Sequence, residues 1–246
     1  MKPNDSAHDL YLRRVSGGGP VLEPKQFKTV ADCKAHKLLC EAIGRLFPED
    51  PILSEEDSEF SSNRPDSYWL IDPIDGTASW YEGFEGFVSQ IAYIENACPI
   101  YGAVYAPLLK SLWTGLHGQG AKLNGITLPM LHPSVRLNLI DNYPKPRRIA
   151  ARIIKKSPAT TYIECGSLGL KSCKVADGTA DLFAKDVVVR DWDIAPASVI
   201  IGEVGGVICD LKGKRIPFTG SFEKHEGLVV ARDQSVAQFA IDVEKS

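Results

Sequence analysis

Trp69-Leu70-Ile71-Asp72-Pro73-Ile74-Asp75-Gly76-Thr77-Ala78-Ser79-Trp80 is the stretch on which the reading of this chain turns. An apolar run ending in Asp-Pro predicts a buried strand that stops at Asp72, because proline has no amide to donate and holds the residue before it extended. The chain must then turn within residues 73–76, which lets the Asp72 and Asp75 carboxylates and the Ile74 carbonyl converge on one point. Oxygen donors of this kind suit a hard divalent cation, Mg2+ first. Gly76 permits close backbone approach, and Thr77 to Ser79 can open a helix whose free amides favour an anion such as phosphate. The same Asp-Gly-Thr string also makes an ordinary capped turn, so taken alone it leaves both readings open.

Around this stretch lies an ordinary globular composition. The chain has 246 residues, 44% hydrophobic and 24% charged, enough for one large domain or two modest ones. Its net charge of -3 provides no general basic field for a nucleic-acid polymer or an anionic membrane, so any anion must be bound locally. Cys33, Cys40, Cys98, Cys165, Cys173 and Cys209 are scattered without a C-x-x-C pair, which fits reduced thiols in a cytoplasm better than disulfides or zinc. The N-terminus has no apolar signal core, and no apolar run reaches the roughly eighteen residues of a membrane span, so a soluble intracellular protein is expected. The histidines form no H-x-x-x-H pair and read as structural or exposed.

Taken in order, residues 1–20 are polar, with a short helix expected at Asp9 to Val15 and a loop at Gly17-Gly18-Gly19. From Thr29 the apolar positions Ala35, Leu38, Leu39, Ala42, Ile43 and Leu46 mark one face of a helix stopped by Pro48, with Asp32 in its first turn. Pro51 to Asp57 reads as a short strand running into acids, and Asp57 to Ser67 as a polar flap. Strands are expected at Phe87 to Ile94, Ile100 to Tyr105 and Lys110 to Thr114, with a turn at Asn96 to Pro99 and a hairpin over Ala121 to Thr127. Pro129 to Pro133 makes a boundary between an α+β half, 1–130, and an α/β half, 131–246. In the second half strands are expected at Leu137 to Ile140, Thr161 to Glu164, Asp181 to Ala184, Gly206 to Asp210 and Gly227 to Ala231. Helices are expected at Arg147 to Lys155, Leu168 to Ala176 and Ile194 to Val204. Gly166-Ser167 is a second helix start suited to an anion, with Lys171 one turn on; a capped helix with a solvated lysine explains the same residues. Asp193, in Arg190-Asp191-Trp192-Asp193-Ile194-Ala195-Pro196, can cap the helix that follows.

Asp-Pro-Ile-Asp-Gly-Thr resembles the signature of the inositol monophosphatase family, lithium-sensitive Mg2+-dependent phosphatases that include the 3'(2'),5'-bisphosphate nucleotidases. Thr29-Val30-Ala31-Asp32, Ser54-Glu55-Glu56 and Trp192-Asp193-Ile194-Ala195 followed by Gly205-Gly206 match other family elements in order, and together they span most of the chain. The resemblance implies a layered αβαβα sandwich and on the order of two or three Mg2+ ions. It implies Glu55, Asp72, the Ile74 carbonyl, Asp75 and Asp193 as ligands. Asp32, Glu55 and Thr77 would activate the attacking water, and Asp75, Gly76, Thr77, Ser167, Lys171 and Asp193 would meet the substrate. Gathering so many carboxylates is tolerable only around cations, because like charges close together raise one another's pKa values.

Gly166-Ser167-Leu168-Gly169-Leu170-Lys171 and Trp192 to Pro196 look more like the nucleotidase branch, whose substrate carries a second phosphate. The expected substrate is therefore 3'-phosphoadenosine 5'-phosphate, with inositol monophosphate or another small phosphate ester as the alternative. Ala78-Ser79-Trp80 departs from both branches, and Asp186 fits the inositol branch's acid only with an extra residue of spacing. A phospho-ligand or metal-binding module without turnover is the alternative of another class; its mark would be a lost ligand, and none is lost. The resemblance implies a monomer or a homodimer acting on a small phosphorylated molecule; the charge and the lack of an apolar span give the expectation of no nucleic-acid polymer or membrane as partner.

Overall fold

The computed structural model describes residues 30–57, 63–134, 136–142 and 144–246. The helix expected at Asp9 to Val15, the triple glycine and residues 58–62 of the expected flap lie outside the described residues. The first half contains α1 (Val30–Leu46), β1 (Ile52–Ser54), β2 (Ser67–Asp75), α2 (Thr77–Glu82), β3 (Val88–Glu95), β4 (Cys98–Ala106), β5 (Ser111–Leu116), β6 (Ala121–Leu123) and β7 (Ile126–Thr127). The second contains β8 (Asn138–Asp141), α3 (Arg148–Lys156), β9 (Thr161–Glu164), α4 (Leu168–Ala176), β10 (Leu182–Lys185), β11 (Val189–Arg190), α5 (Asp191–Glu203), β12 (Val207–Cys209), β13 (Glu223–Lys224), β14 (Leu228–Ala231) and α6 (Gln234–Lys245).

Strands β1 to β7 form one sheet in chain order. Among the described residues of this sheet only the β1–β2 pair is parallel. Consecutive antiparallel strands need tight turns, and the chain supplies them: Asn96-Ala97 and Asn124-Gly125 both hold positive φ at their two central residues. The second sheet runs β12-β14-β10-β8-β9, with β8 parallel to β9 and β10 and with β14 antiparallel to both of its neighbours.

Neighbouring residues of the second sheet divide between two cores, as alternation along a strand requires. Ile140, Phe183 and Val230 face a core shared with Leu70, Val88, Ala92 and Val104 of the first sheet and with Leu170 of α4 and Ile194 and Ile200 of α5. Leu139, Leu182 and Val229 face the opposite way, onto Ile149 and Ile153 of α3 and Ala237 and Ile241 of α6. On the outer side of the first sheet, Ile43 of α1 packs on Trp69 and Ile71. The result is five layers: α1, sheet, α4 with α5, sheet, α3 with α6. This is the αβαβα sandwich that the resemblance implies. Helix α5 belongs to the second half by sequence yet lies against the first sheet. A Cβ on Gly102 of β4 would come within 2.0 Å of the Pro196 carbonyl oxygen, so strand and helix meet at backbone distance.

Four features differ from the sequence expectations. Strand β2 does not stop at Asp72 but continues to Asp75 through a bulge: Asp72 pairs with Gln90 and Asp75 with Val88. The extra residue absorbs the donor that Pro73 lacks, and the Pro73 carbonyl accepts instead from Ser89 Oγ at 2.7 Å. Helix α5 starts at Asp191 rather than Ile194, because Arg190 is extended and the Asp193 carboxylate accepts its backbone N–H at 2.7 Å. Asp193 thus reaches back from inside the first turn as the acid of a capping box. The short β11–β13 ladder and α6 were not expected; α6 begins where Asp233 Oδ1 accepts the Val236 amide at 2.9 Å.

Candidate metal centre

The bulge in β2 gives the site its first two carboxylates. A regular strand sends alternate residues to opposite faces, so residues three apart would diverge; the inserted residue turns Asp72 and Asp75 toward the same side. Asp193 comes to the same point from the start of α5, and ligand oxygens of Asp72, Asp75 and Asp193 lie within 4.8 Å of one another. Glu55 stands outside that group of three, on the turn after β1, and meets it through the carboxyl of Asp72. The parallel β1–β2 pairing sets Ser54 beside Ile71, and the Glu55 amide donates to the Ile71 carbonyl at 3.1 Å.

On the other side of the turn, Thr77 Oγ1 lies 3.0 Å from the Ile74 carbonyl and 3.4 Å from Oδ1 of the buried Asp32. Between β2 and α2, Gly76 has φ 90, and a Cβ there would stand 2.8 Å from the Gly86 carbonyl. Only glycine fits this left-handed, crowded step.

Three further groups hold these carboxylates. Gln90 Nε2 lies 3.2 Å from Asp72 Oδ2 and 3.5 Å from Asp75 Oδ2. Ser167 Oγ donates to Asp75 Oδ2 at 2.5 Å, and the Gly169 amide donates to the same oxygen at 2.7 Å. The anion received by the start of α4 is thus the Asp75 carboxylate itself. Ser167 makes this contact from a strained backbone, φ 53 and ψ 142. Lys171 is fully buried, and its ammonium donates to Asn142 Oδ1.

Gln90 and Arg190 were not singled out from the sequence. Gln90 carries a signal all the same: it interrupts the buried face Val88, Ala92, Ile94 of β3, and a polar group there needs a partner. Arg190 is a cation whose field lowers the pKa of both Glu55 and Asp193.

Burial pushes all four carboxyls up. Asp72 and Asp193 stand well above the ordinary range, Asp72 being driven further by Glu55, Asp75 and Asp193, and Asp193 by Asp75 and Glu55. Glu55 and Asp75 are raised more modestly; the hydrogen bond to Asp72 offsets part of the burial for the first, and those from Ser167 and Gly169 for the second.

Asp72 Oδ1 is buried without a hydrogen-bond partner. A partnerless buried carboxylate oxygen among three more acids, all hard oxygen donors, fits Mg2+. Glu55, Asp72, the Ile74 carbonyl, Asp75 and Asp193 are the groups that would hold it.

The direction of these shifts fixes a pH dependence. A carboxyl raised on folding binds more protons in the folded than in the unfolded state, so the metal-free protein loses stability as pH climbs from the ordinary carboxylate range through the raised values. Mg2+ requires the deprotonated form and removes the repulsion, so its stabilisation grows with pH. Thermal melts in EDTA and in Mg2+ at about pH 5 to about pH 8 are expected to diverge progressively; parallel curves would contradict a metal-binding cluster.

A family model described as the inositol monophosphatase family matches residues 13–244. This chain belongs to that family. Members of the inositol monophosphatase family are metal-dependent phosphatases, and the chain is an enzyme of this kind. It is similar to the 3'(2'),5'-bisphosphate nucleotidase CysQ of Aggregatibacter actinomycetemcomitans, with 31% identity over 82% of this chain and 77% of the relative. It is similar to inositol monophosphatase 1 of Bos taurus at 30% identity, over 77% of this chain and 73% of the relative. The solved IMPase of Thermotoga maritima superposes with a TM-score of 0.73 at 26% identity, covering 97% of this chain and 93% of the other. Among the described residues, no helix is long and apolar enough to cross a membrane. All six cysteines are free thiols.

Proposed function

We propose that this inositol monophosphatase family member hydrolyses the 3'-phosphate of 3'-phosphoadenosine 5'-phosphate, giving AMP and inorganic phosphate with Mg2+ as cofactor. One observation carries the choice of a substrate with a second phosphate. Helix α4 starts with Ser167 on Asp75, and one turn on, about 6 Å along the axis, Lys171 and Lys185 converge on the exposed Asn142, whose Oδ1 lies 3.4 Å from Lys185 Nζ. Lys185 also pairs with Asp141 at 2.5 Å. Burial and the neighbouring Lys185 pull Lys171 down to about 8, so near neutral pH its ammonium form persists. Two ammonium groups thus meet at one exposed side-chain amide. An anionic group that displaced the Asn142 side chain would meet both ammonium groups in charge-assisted contacts beside the hydrolytic centre.

At the centre, Thr77 orients a water through its hydroxyl, and Asp32 or Glu55 takes the proton as the water oxygen attacks phosphorus in line with the 3' oxygen. The P–O3' bond breaks, and the leaving alkoxide takes a proton from a solvent water to become the 3' hydroxyl. The Gly76 and Thr77 amides hold phosphate oxygens. Mg2+ bound by the acids supplies Lewis-acid charge for the phosphoryl oxygens. The raised pKa values of the cluster keep it poised to exchange protons for cations.

The test compares 3'-phosphoadenosine 5'-phosphate with inositol 1-phosphate for wild type and Lys171→Met. A charge-assisted contact is worth about 1.5–3 kcal/mol, so Lys171→Met should lower kcat/KM for the bisphosphate by about ten- to a hundredfold and leave the monophosphate nearly unchanged. Equal losses on both substrates, or faster wild-type turnover of inositol 1-phosphate, would overturn the nucleotide assignment.

A further inference from the structure

We propose that His36 is a positioning residue for Glu55, acting through the buried hydroxyl of Ser54. His36 lies on α1, one turn after Asp32, and residues four apart share a helix face. The face that brings Asp32 to Thr77 therefore brings His36 to the turn that carries Glu55. His36 Nδ1 stands 2.9 Å from Ser54 Oγ. Ser54 is fully buried at the end of β1, immediately before Glu55.

Three further contacts of this turn also involve Ser54. Ser54 Oγ accepts the Glu56 amide at 3.2 Å, the Ser54 amide donates to Asp57 Oδ2 at 2.8 Å, and the Asp57 amide donates to the Ser54 carbonyl at 3.0 Å. Glu55 is thus flanked by a residue pinned from behind by His36 and by a residue whose amide hangs on the same hydroxyl. A hydroxyl has one proton and two acceptor sites, so Ser54 can accept from Glu56 and still bond the imidazole nitrogen in either tautomer. Cys40, one turn beyond His36, fills the other flank, its Sγ 3.7 to 3.8 Å from the ring nitrogens, and leaves the ring little room to swing away. The device matters because Glu55 comes from a strand of only three residues, Ile52–Ser54, with a single described neighbour, β2. Ladder hydrogen bonds alone hold so short an edge strand loosely.

The inference rests on Glu55 being a Mg2+ ligand. Groups that orient a metal ligand typically change metal affinity by about ten- to a hundredfold when removed. His36→Ala and Ser54→Ala should therefore each weaken Mg2+ binding, measured by titration calorimetry and by the Mg2+-induced shift in melting temperature, by about tenfold, and the double variant should be no worse than either single one. At saturating Mg2+ kcat should recover, because no reacting group has been removed. His36→Asn, whose side-chain amide can take the place of Nδ1, should restore affinity, whereas His36→Gln, whose amide falls nearer Nε2, should not. A purely structural role would lower the metal-free melting temperature without moving Mg2+ affinity, and that result would overturn the proposal. Glu55→Gln separates the two levels: if it weakens Mg2+ binding while His36→Ala does not, the positioning role fails alone; if Glu55→Gln leaves binding intact, the assignment of Glu55 fails first.

Discussion

Asp72→Asn is expected to cut Mg2+-dependent phosphate release by about a thousandfold or more while making the metal-free protein more stable. Both signs follow from one carboxylate. Asp72 is 1% exposed, its Oδ1 has no partner, and Glu55, Asp75 and Asp193 all drive its pKa up. Asparagine keeps the shape and deletes a charge that the empty cluster resists, so stability in EDTA should rise. The same substitution would remove a donor from the Mg2+ that these acids would hold; a loss of about 4 kcal/mol of transition-state stabilisation is a factor of about a thousand. Phosphate release at saturating Mg2+ and urea denaturation in EDTA read the two effects separately. Unchanged turnover would refute the ligand assignment. Lost turnover together with lost metal-free stability would make Asp72 a structural residue instead.

Arg64→Ala should destabilise the protein by about 2–3 kcal/mol, less than the roughly 3–5 kcal/mol of a fully stranded buried charge, because Lys224 stays beside Asp191. Arg64 pairs with Asp191 at 2.6 Å, with side chains only 7% and 0% exposed. It also bonds Tyr68 Oη and the Phe218 and Gly220 carbonyls, and its guanidinium lies 3.8 Å from the Phe222 ring centroid. Burial raises the Asp191 pKa, and Lys224 and Arg64 pull it back; without Arg64, Lys224 at 3.3 Å is left as the ion-pair partner. Asp191 opens α5 two residues before Asp193, so the ion pair ties the segment leading into β2, the strand that carries Asp72, to the helix that carries Asp193. Urea denaturation measures the loss, and Arg64→Ala combined with Asp191→Asn should recover part of it. A change under about 0.5 kcal/mol, the range of ordinary surface substitutions, would show that the pair bears no weight.

Arg64 also illustrates what the sequence could not reveal. It stands in a polar run that reads as a flap, and nothing local says that its partner lies more than a hundred residues away. Elements whose cause is local were legible. The 3.6-residue spacing from Ala35 to Leu46 gives α1 as a helix, although Leu38 and Leu46 are exposed and the packed face runs through Leu39, Cys40 and Ile43; Asn-Gly at 124–125 gives a hairpin, and the alternating strands and helices after residue 137 give the second sheet. Strand β2 was misjudged at its end because proline forbids a ladder hydrogen bond without forbidding a bulge, and the bulge is stabilised by Gln90 and Ser89 on the next strand. Likewise, Ser167 reads as a helix cap or an anion contact, and only the fold reveals that the anion at that helix start is Asp75. The acids were legible by type and spacing within each motif; their convergence depends on the bulge, on the parallel β1–β2 pairing and on the close approach of α5 to the first sheet at Gly102.

That acids from both halves of the chain hold a shared Mg2+ cluster is tested most directly by Mg2+ titration calorimetry of wild type and Asp193→Asn, run in buffers of different ionisation enthalpy. The expected result is Mg2+ binding with proton release by the wild type, and binding weakened by at least about tenfold in Asp193→Asn. Equal affinity and equal proton release in the two proteins would contradict it.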